Sequence, residues 1–318
     1  MKLVFCGTPQ FAVPTFEALR AAGHLIALAV SQPDRPVGRA QVMTAPPVKQ
    51  AALAAGIACV QPDKIRNNVE FRSQLEAILP DAIVVVAYGR ILPPWLLALP
   101  RLGCINLHAS LLPKYRGAAP IQWSVAMGDQ ITGNTTMLLE EGLDTGPILL
   151  QQSLAIAPEQ TAADLFTVLA EAGAPLVVET LAGLEAGSLQ PRAQDHSLAT
   201  LAPMLSREDG KIDFALRSAV EIKDRWRGFQ PWPGAYTHLE GKKLIVHRMA
   251  VAEAFAPGPL NAPAPGSILI KDQRLLAACA GNSWLELLEV QLEGKKRVSA
   301  ADFLRGNALP AGTCLGVK

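Results

Sequence analysis

The chain is short of cysteine, of metal-ligand patterns and of long apolar runs, and each shortage excludes something. Its five cysteines, Cys6, Cys59, Cys104, Cys279 and Cys314, are odd in number, scattered through 318 residues and free of any C-x-x-C pair. That excludes a disulfide framework and points to reduced, buried thiols in a cytoplasmic protein. The five histidines show no ligand spacing, so no metal is expected. The first strand-like run ends in Gly7-Thr8-Pro9 rather than G-x-G-x-x-G, which disfavours a nicotinamide dehydrogenase. Apolar runs such as residues 25–30 and 83–87 have strand length, and no membrane span is expected. Residues 1–6 are too short for a signal peptide and run straight into a turn.

What is present is a globular composition, 50% hydrophobic and 18% charged, in a chain long enough for two cores. The net charge of +1 hides an asymmetry. Residues 1–189 carry 12 Lys and Arg against 15 Asp and Glu, whereas residues 190–318 carry 17 against 13. A polyanionic partner would therefore favour the second part.

Hydrophobic period and turn residues set the expected organisation. Strands at 2–6, 25–31, 58–60, 81–87 and 104–108 alternate with helices at 48–55, 67–79, 94–99 and 117–127, the pattern of a parallel sheet with helices on both faces. Residues 32–47 (QPDRPVGRAQVMTAPP) read as a long Pro/Gly loop. A hairpin-like unit, 132–139 and 147–156, carries Asp144 near its tip, and a long amphipathic helix spans 161–184. Periodicity is lost over 190–206, the expected linker between domains 1–189 and 207–318. Beyond it come a helix at 219–229, five short strands with Pro/Gly turns and a helix capped by Ser299. Those short strands suggest a small β-barrel of the OB type.

The candidate chemistry lies in GCINLHASLLPKYRGAAPIQW, residues 103–123. Side chains alternate along a strand, so Asn106 and His108 share one face, about 7 Å apart, at the strand exit where open α/β sheets place their sites. Asp144 follows in a Gly-flanked loop, EEGLDTG. An amide donor, an imidazole and a carboxylate suit acyl transfer: a donor to an oxyanion, a base, and a group that orients the base. The residues alone carry the reading to a small-molecule α/β enzyme.

These same stretches, INLHASLLPKYRGAAPIQW with GDQITGNTTMLLEEGLDTGPIL, resemble the folate-dependent formyltransferase family over nearly the whole chain. VFCGTPQFAVPTFEAL, SQPDRPVGR, VVVAYGRILP and FQPWPGAY resemble its tRNA-acting branch. The resemblance implies a Rossmann-like domain and formyl transfer from 10-formyltetrahydrofolate to the amino group of initiator methionyl-tRNA by a monomer. It implies catalytic roles for Asn106, His108 and Asp144, and folate contacts at Ser110, Leu111, Leu112 and Pro113. A pterin-pocket wall is implied at Val86, Tyr88, Gly89, Arg90, Ile91 and Leu92. Arg39, with Arg35 in the same loop, matches a basic position that meets the tRNA acceptor end, although Ala40-Gln41-Val42 replaces the basic pair common there. In the second domain Arg225, Arg227, Lys242, Lys243, Arg248, Lys295, Lys296 and Arg297 are the candidates for tRNA phosphates. The competing readings are a formyltransferase for an amino sugar or glycinamide ribonucleotide, and an RNA-binding protein with an inactive α/β domain. The basic second domain argues against the first and the intact Asn106, His108, Asp144 set against the second.

Overall fold

A seven-stranded sheet organises the first half of the chain. The computed structural model describes every residue except 39, 253–262, 311 and 317–318. In chain order the elements are β1 (Lys2–Gly7), α1 (Val13–Ala21), β2 (Leu25–Val30), β3 (Arg35–Val37), β4 (Val42–Thr44), α2 (Pro47–Ala54) and β5 (Cys59–Val60). There follow α3 (Val69–Ile78), β6 (Ala82–Val86), α4 (Pro94–Leu97), β7 (Cys104–His108), α5 (Pro120–Ala126), β8 (Ile131–Leu138), β9 (Ile148–Ala155) and α6 (Ala162–Glu185). The strand order is β5-β2-β1-β6-β7-β8-β9. The five strands through β7 are parallel, and β8 and β9 continue the sheet antiparallel.

Helices cover both faces, because successive strand side chains point to opposite sides. On one side Val4, Cys6, Ile83, Val85 and Cys104 pack with Phe71 and Leu75 of α3 and Leu96 of α4. On the other, Phe5 meets the ring of Phe16 from α1 edge-on at 5.4 Å. There α6 comes so close to β7 that a Cβ at Gly173 would lie 2.6 Å from Leu107. By length and composition α6 is apolar enough to cross a membrane. Here its Leu165, Leu169, Val177 and Leu181 are fully buried, and its Thr180 hydroxyl meets that of Thr136 in β8 at 2.7 Å. Its apolar face is the sheet's cover.

Several expectations shift. Residues 32–47 are not irregular throughout: β3 and β4 pair as a short exposed hairpin. The helix expected from 117 begins only at Pro120, because Gly117 sits at φ 129° and its N–H is used elsewhere. Residues 192–202, expected as linker, hydrogen bond along residues 115–119 and 148 instead. The chain divides into one unit of Met1–Ile121, Ile131–Ile156 and Asp164–Pro203, and a second of Gln122–Gln130, Ala157–Ala163 and Met204–Lys318.

The second unit contains α7 (Ala219–Gly228), β10 (Tyr236–Leu239), β11 (Lys242–Val251), β12 (Ile268–Lys271), β13 (Arg274–Cys279), β14 (Ser283–Leu292), β15 (Val298–Ser299) and α8 (Ala300–Gly306). A capping box between Ser218 and Glu221 starts α7. The strands order as β10-β11-β14-β13-β12, with β15 on β14 beside β13. The OB-type barrel is corrected to a sheet that is not a closed barrel: among the described residues no ladder joins β10 to β12, whose outer edges meet only the isolated bridge of Lys211 to Tyr236 and the backbone of residues 313–316. The core is Leu244, Val246, Leu275, Leu285, Leu287 and Val290 under Ile222 of α7 and Phe303 of α8. Burial raises the thiols of Cys104 and Cys279 to about 12, keeping them neutral and inert.

Candidate active site

The first unit's chemistry gathers where β7 ends. Asn106 pairs with Met137 of β8 and Val85 of β6, so its position in the sheet is doubly determined. Its side chain is half-buried, and its amide has no hydrogen-bond partner among the described residues. It is the one member of the expected trio left free to donate.

His108, 5% exposed, is held at both nitrogens. Nε2 lies 2.9 Å from the Tyr115 carbonyl oxygen. A carbonyl only accepts, so Nε2 carries the hydrogen. Nδ1 lies 3.7 Å from Asp144 Oδ2, an ion-pair distance and too long for a hydrogen bond. A ring protonated on Nε2 alone turns a lone pair toward the carboxylate; the contact is attractive only when Nδ1 is protonated as well. Both ring nitrogens of His108 thus face protein atoms.

Asp144 sits at φ 50°, a left-handed conformation that aspartate tolerates in turns. Its Oδ2 accepts from the Gly117 N–H at 2.8 Å. Its Oδ1 has no partner among the described residues and is the open position of the carboxylate. Gly146 behind it is fixed by space, since a Cβ there would lie 1.9 Å from the Leu138 carbonyl oxygen. Gly117 is as constrained, with the Ala202 carbonyl oxygen 2.6 Å from where a Cβ would be.

The next segment is braced by β8 and β9. The Thr135 hydroxyl donates to Ser110 O at 2.6 Å and accepts from Leu112 N at 3.1 Å, while Gln151 Nε2 donates to Leu112 O at 2.9 Å. Ser110 Oγ donates to Lys114 O. So Ser110, Leu111, Leu112 and Pro113 are held as a shaped loop beside Asn106. Sequence reasoning misses Thr135 and Gln151 as the braces of this loop; their alternation along the hairpin strands is ordinary β pattern, and only the register reveals them.

The loop after β6 is mixed. Val86, Tyr88 and Leu92 are buried, and the Tyr88 ring belongs to the α3/α4 core rather than to a pocket wall. Gly89 and Ile91 are exposed, Ile91 at 86%. Arg90 is tied down, donating to Gln32 Oε1 and to Asp63 O. Gln32 in turn donates to Tyr88 O, Gln61 to Gln32 O and Asp34, and Lys49 to both Asp34 and Gln61. These hydrogen bonds from Gln61, then Lys49, hold the Asp34 carboxyl below its ordinary value. This network anchors the base of the hairpin that carries exposed Arg35. Arg39 lies outside the described residues.

In the second unit the strand register collects Lys242, Lys243, Arg248, Lys295, Lys296 and Arg297 around one end of β11 and β14. All six are exposed. Arg297 and Arg248 share the Glu289 carboxylate, and the hydrogen bond from Arg297, then that from Arg248, hold it below its ordinary value. Lys243 Nζ lies 3.9 Å from the Tyr236 ring centre. Arg225 stacks on Trp123 and Phe229. Arg227 differs: it is 5% exposed, grips Asp224 and donates to Ala157 O and Gln160 O, which leaves it no access to phosphate.

A family model described as formyl transferase matches residues 1–181, and one described as formyl transferase, C-terminal domain, matches residues 204–308. A methionyl-tRNA formyltransferase of Acidobacterium capsulatum is 64% identical over 99% of this chain and 100% of its own length. That of Koribacter versatilis is 56% identical over 96% of each. The chain belongs to the methionyl-tRNA formyltransferase family. It is a formyltransferase, a one-carbon transferase. Solved structures share the fold at low identity. An N-formyltransferase from Helicobacter canadensis, in complex with folinic acid and dTDP-3-aminofucose, superposes with a TM-score of 0.64 at 17% identity, over 90% of this chain and 98% of its own. HypX from Aquifex aeolicus, in complex with tetrahydrofolic acid, gives 0.59 at 15%, over 96% of this chain and 47% of its own. The family is folate-dependent, as the bound molecules of these neighbours illustrate.

Proposed function

We propose that the chain transfers the formyl group of 10-formyltetrahydrofolate to the amino group of initiator methionyl-tRNA, as a cytoplasmic monomer, with Asn106 and Asp144 at the reacting atoms. The observation that carries this is the pair of unused polar groups at one strand exit, the Asn106 amide and Asp144 Oδ1, beside a structurally fixed loop at 110–113. A formyl donor must sit where its carbonyl meets a hydrogen-bond donor and the incoming amine meets a base.

Residues 86–92 and 110–113 leave adjacent strands, β6 and β7, at their carboxyl ends. A flat ring system would lie between these exits, against exposed Gly89 and Ile91 and the half-buried Leu111 and Pro113. The fit to a folate rests on this apolar surface, of which Ile91 is the most exposed part. The acceptor amine attacks as the neutral base. As its bond to the formyl carbon forms, the Asn106 amide donates to the oxygen that gains negative charge. Asp144 Oδ1 takes the proton released by the amine, directly or through a water, and returns it to the folate N10 as the carbon–N10 bond breaks. His108, fixed through Nε2 on the Tyr115 carbonyl, packs its ring beside Asp144 Oδ2 and closes that side of the carboxylate. Domain 1–189 does this chemistry, and domain 207–318 supplies charge for tRNA phosphates, chiefly through Lys242, Lys243, Arg248, Lys295, Lys296 and Arg297.

The test is transfer of labelled formyl from 10-formyltetrahydrofolate to methionyl-tRNA, run beside amino-sugar nucleotides and glycinamide ribonucleotide. Formylation confined to the aminoacylated tRNA is expected. Turnover on a small amine alone would reject the acceptor assigned here.

A further inference from the structure

The loop that carries Asp144 is held by side chains from a segment fifty residues further on. Gln194, 6% exposed, uses every hydrogen-bonding position it has. Its Nε2 donates to Asp144 O at 2.8 Å and to Gly146 O at 2.7 Å. Its Oε1 accepts from Arg116 Nη2 at 2.6 Å and from Nε at 3.2 Å. The amide orientation is unambiguous, because backbone carbonyls only accept and a guanidinium only donates. Arg116 is itself 7% exposed, and among the described residues it has no carboxylate partner. Its remaining side-chain contact is His196 Nδ1 at 3.0 Å. Three consecutive residues thus serve one carboxylate. Tyr115 O fixes His108, Arg116 fixes Gln194, and Gly117 N fixes Asp144 Oδ2.

We propose that Gln194 and Arg116 are positioning residues for formyl transfer, a buried brace that sets the backbone of the 144–146 turn and so aims Asp144 Oδ1 at the acceptor amine. The proposal rests on the reading of Asp144 as the proton acceptor. Asp144 at φ 50° has no ladder partner of its own; its carbonyl and that of Gly146 are tied by the one amide group. Burying Arg116 without a carboxylate is unfavourable unless its donors are used, which is why the brace needs Gln194 and not a smaller residue. Among the described residues no side-chain hydrogen bond of the brace reaches the 86–92 loop or 110–113, so its removal is expected to alter the geometry of proton transfer and leave folate contacts in place.

The experiment uses the full-length chain and Gln194→Glu, which keeps an acceptor for Arg116 but turns an acceptor oxygen, instead of a donor, toward the two carbonyls. Misplacing a reacting group by about 1 Å can cost on the order of 100-fold in rate. The expected result is a fall in kcat of about 10- to 100-fold, with the KM for methionyl-tRNA and the calorimetric Kd for tetrahydrofolate within about twofold of the parent. In an Asp144→Ala background the same substitution is expected to cause no further decrease, since there is no carboxylate left to aim. A second variant, Arg116→Lys, which keeps the charge but not the two-pronged grip, should give the same pattern more weakly. Parental kcat in either folded variant, or decreases that simply multiply in the Asp144→Ala background, would overturn the proposal. If circular dichroism shows neither variant folded, the pair is a folding element and the positioning role is rejected. Near-normal turnover of Asp144→Ala alone would instead reject the reading beneath it, whatever Gln194 does.

Discussion

Two regions of this chain use polar groups in opposite ways. Around Asp144, His108, Arg116, Gln194 and Gly117 are buried or half-buried, and their polar groups are matched one to one across long stretches of sequence. At the β11/β14 end of the second unit, six basic side chains stand exposed, and two of them share a single glutamate. The first arrangement fixes atoms; the second supplies a field. Moving a proton and stabilising a developing oxyanion require groups placed before the substrate arrives. Phosphate attraction requires charge, with little demand on geometry. Under the function proposed above, the contrast between fixed and loose polar groups becomes one between catalysis and capture.

The comparison breaks most visibly at the fixed end. Asn106→Ala removes the only free donor of the trio at the strand exit and is expected to lower kcat by roughly 100- to 1000-fold, with circular dichroism unchanged. Steady-state kinetics within about threefold of the parent would remove the oxyanion role. Arg227 sharpens the contrast within the second unit, because it belongs to the fixed class although it lies among the basic candidates. Arg227→Ala leaves Asp224 largely buried beside no cation and is expected to cost about 3 kcal/mol of stability in a denaturant titration. A variant as stable as the parent, but with weakened tRNA affinity, would move Arg227 to the other class. Lys295→Glu with Lys296→Glu is the matching change at the loose end. The expected result is a several-fold higher KM for tRNA at low salt, unchanged kcat, and a slope of log affinity against log salt smaller by about 1 for each phosphate no longer neutralised. A salt-independent KM in the parent would contradict the phosphate role outright. The smallest effect belongs to Arg297→Ala, whose exposed ion pair with Glu289 should leave the denaturation midpoint unchanged within error in a denaturant titration.

Features that depend on local pattern are legible in the sequence. The central run at 82–86, the strand ending in Asn106 and His108, the hairpin around Asp144 and the long helix 162–185 all follow from period and turn residues. Features that depend on distant partners are not. Residues 117–119 look helical, but Gly117 and Ala119 donate to Asp144 and Ala202 instead of to a helical turn. Residues 192–202 lack periodicity and so read as linker, yet their backbone and Gln194 complete the site from 78 residues beyond Arg116. Arg227 and Arg225 are two positions apart on one helix, and only burial separates the one gripping Asp224 from the one stacked on aromatic rings. Short alternating strands are equally compatible with closed and open sheets, because closure is decided by pairing between the first and last strands and not by any one of them.

The most direct test of the account is Asp144→Asn, which preserves shape and can still accept the Gly117 N–H through its amide oxygen, but cannot take up a proton. Single-turnover formyl transfer should slow by at least about 100-fold while tetrahydrofolate binding is retained. Transfer at close to the parental rate, with the variant folded and folate bound, would contradict the assignment of Asp144 as the group that accepts the amine's proton.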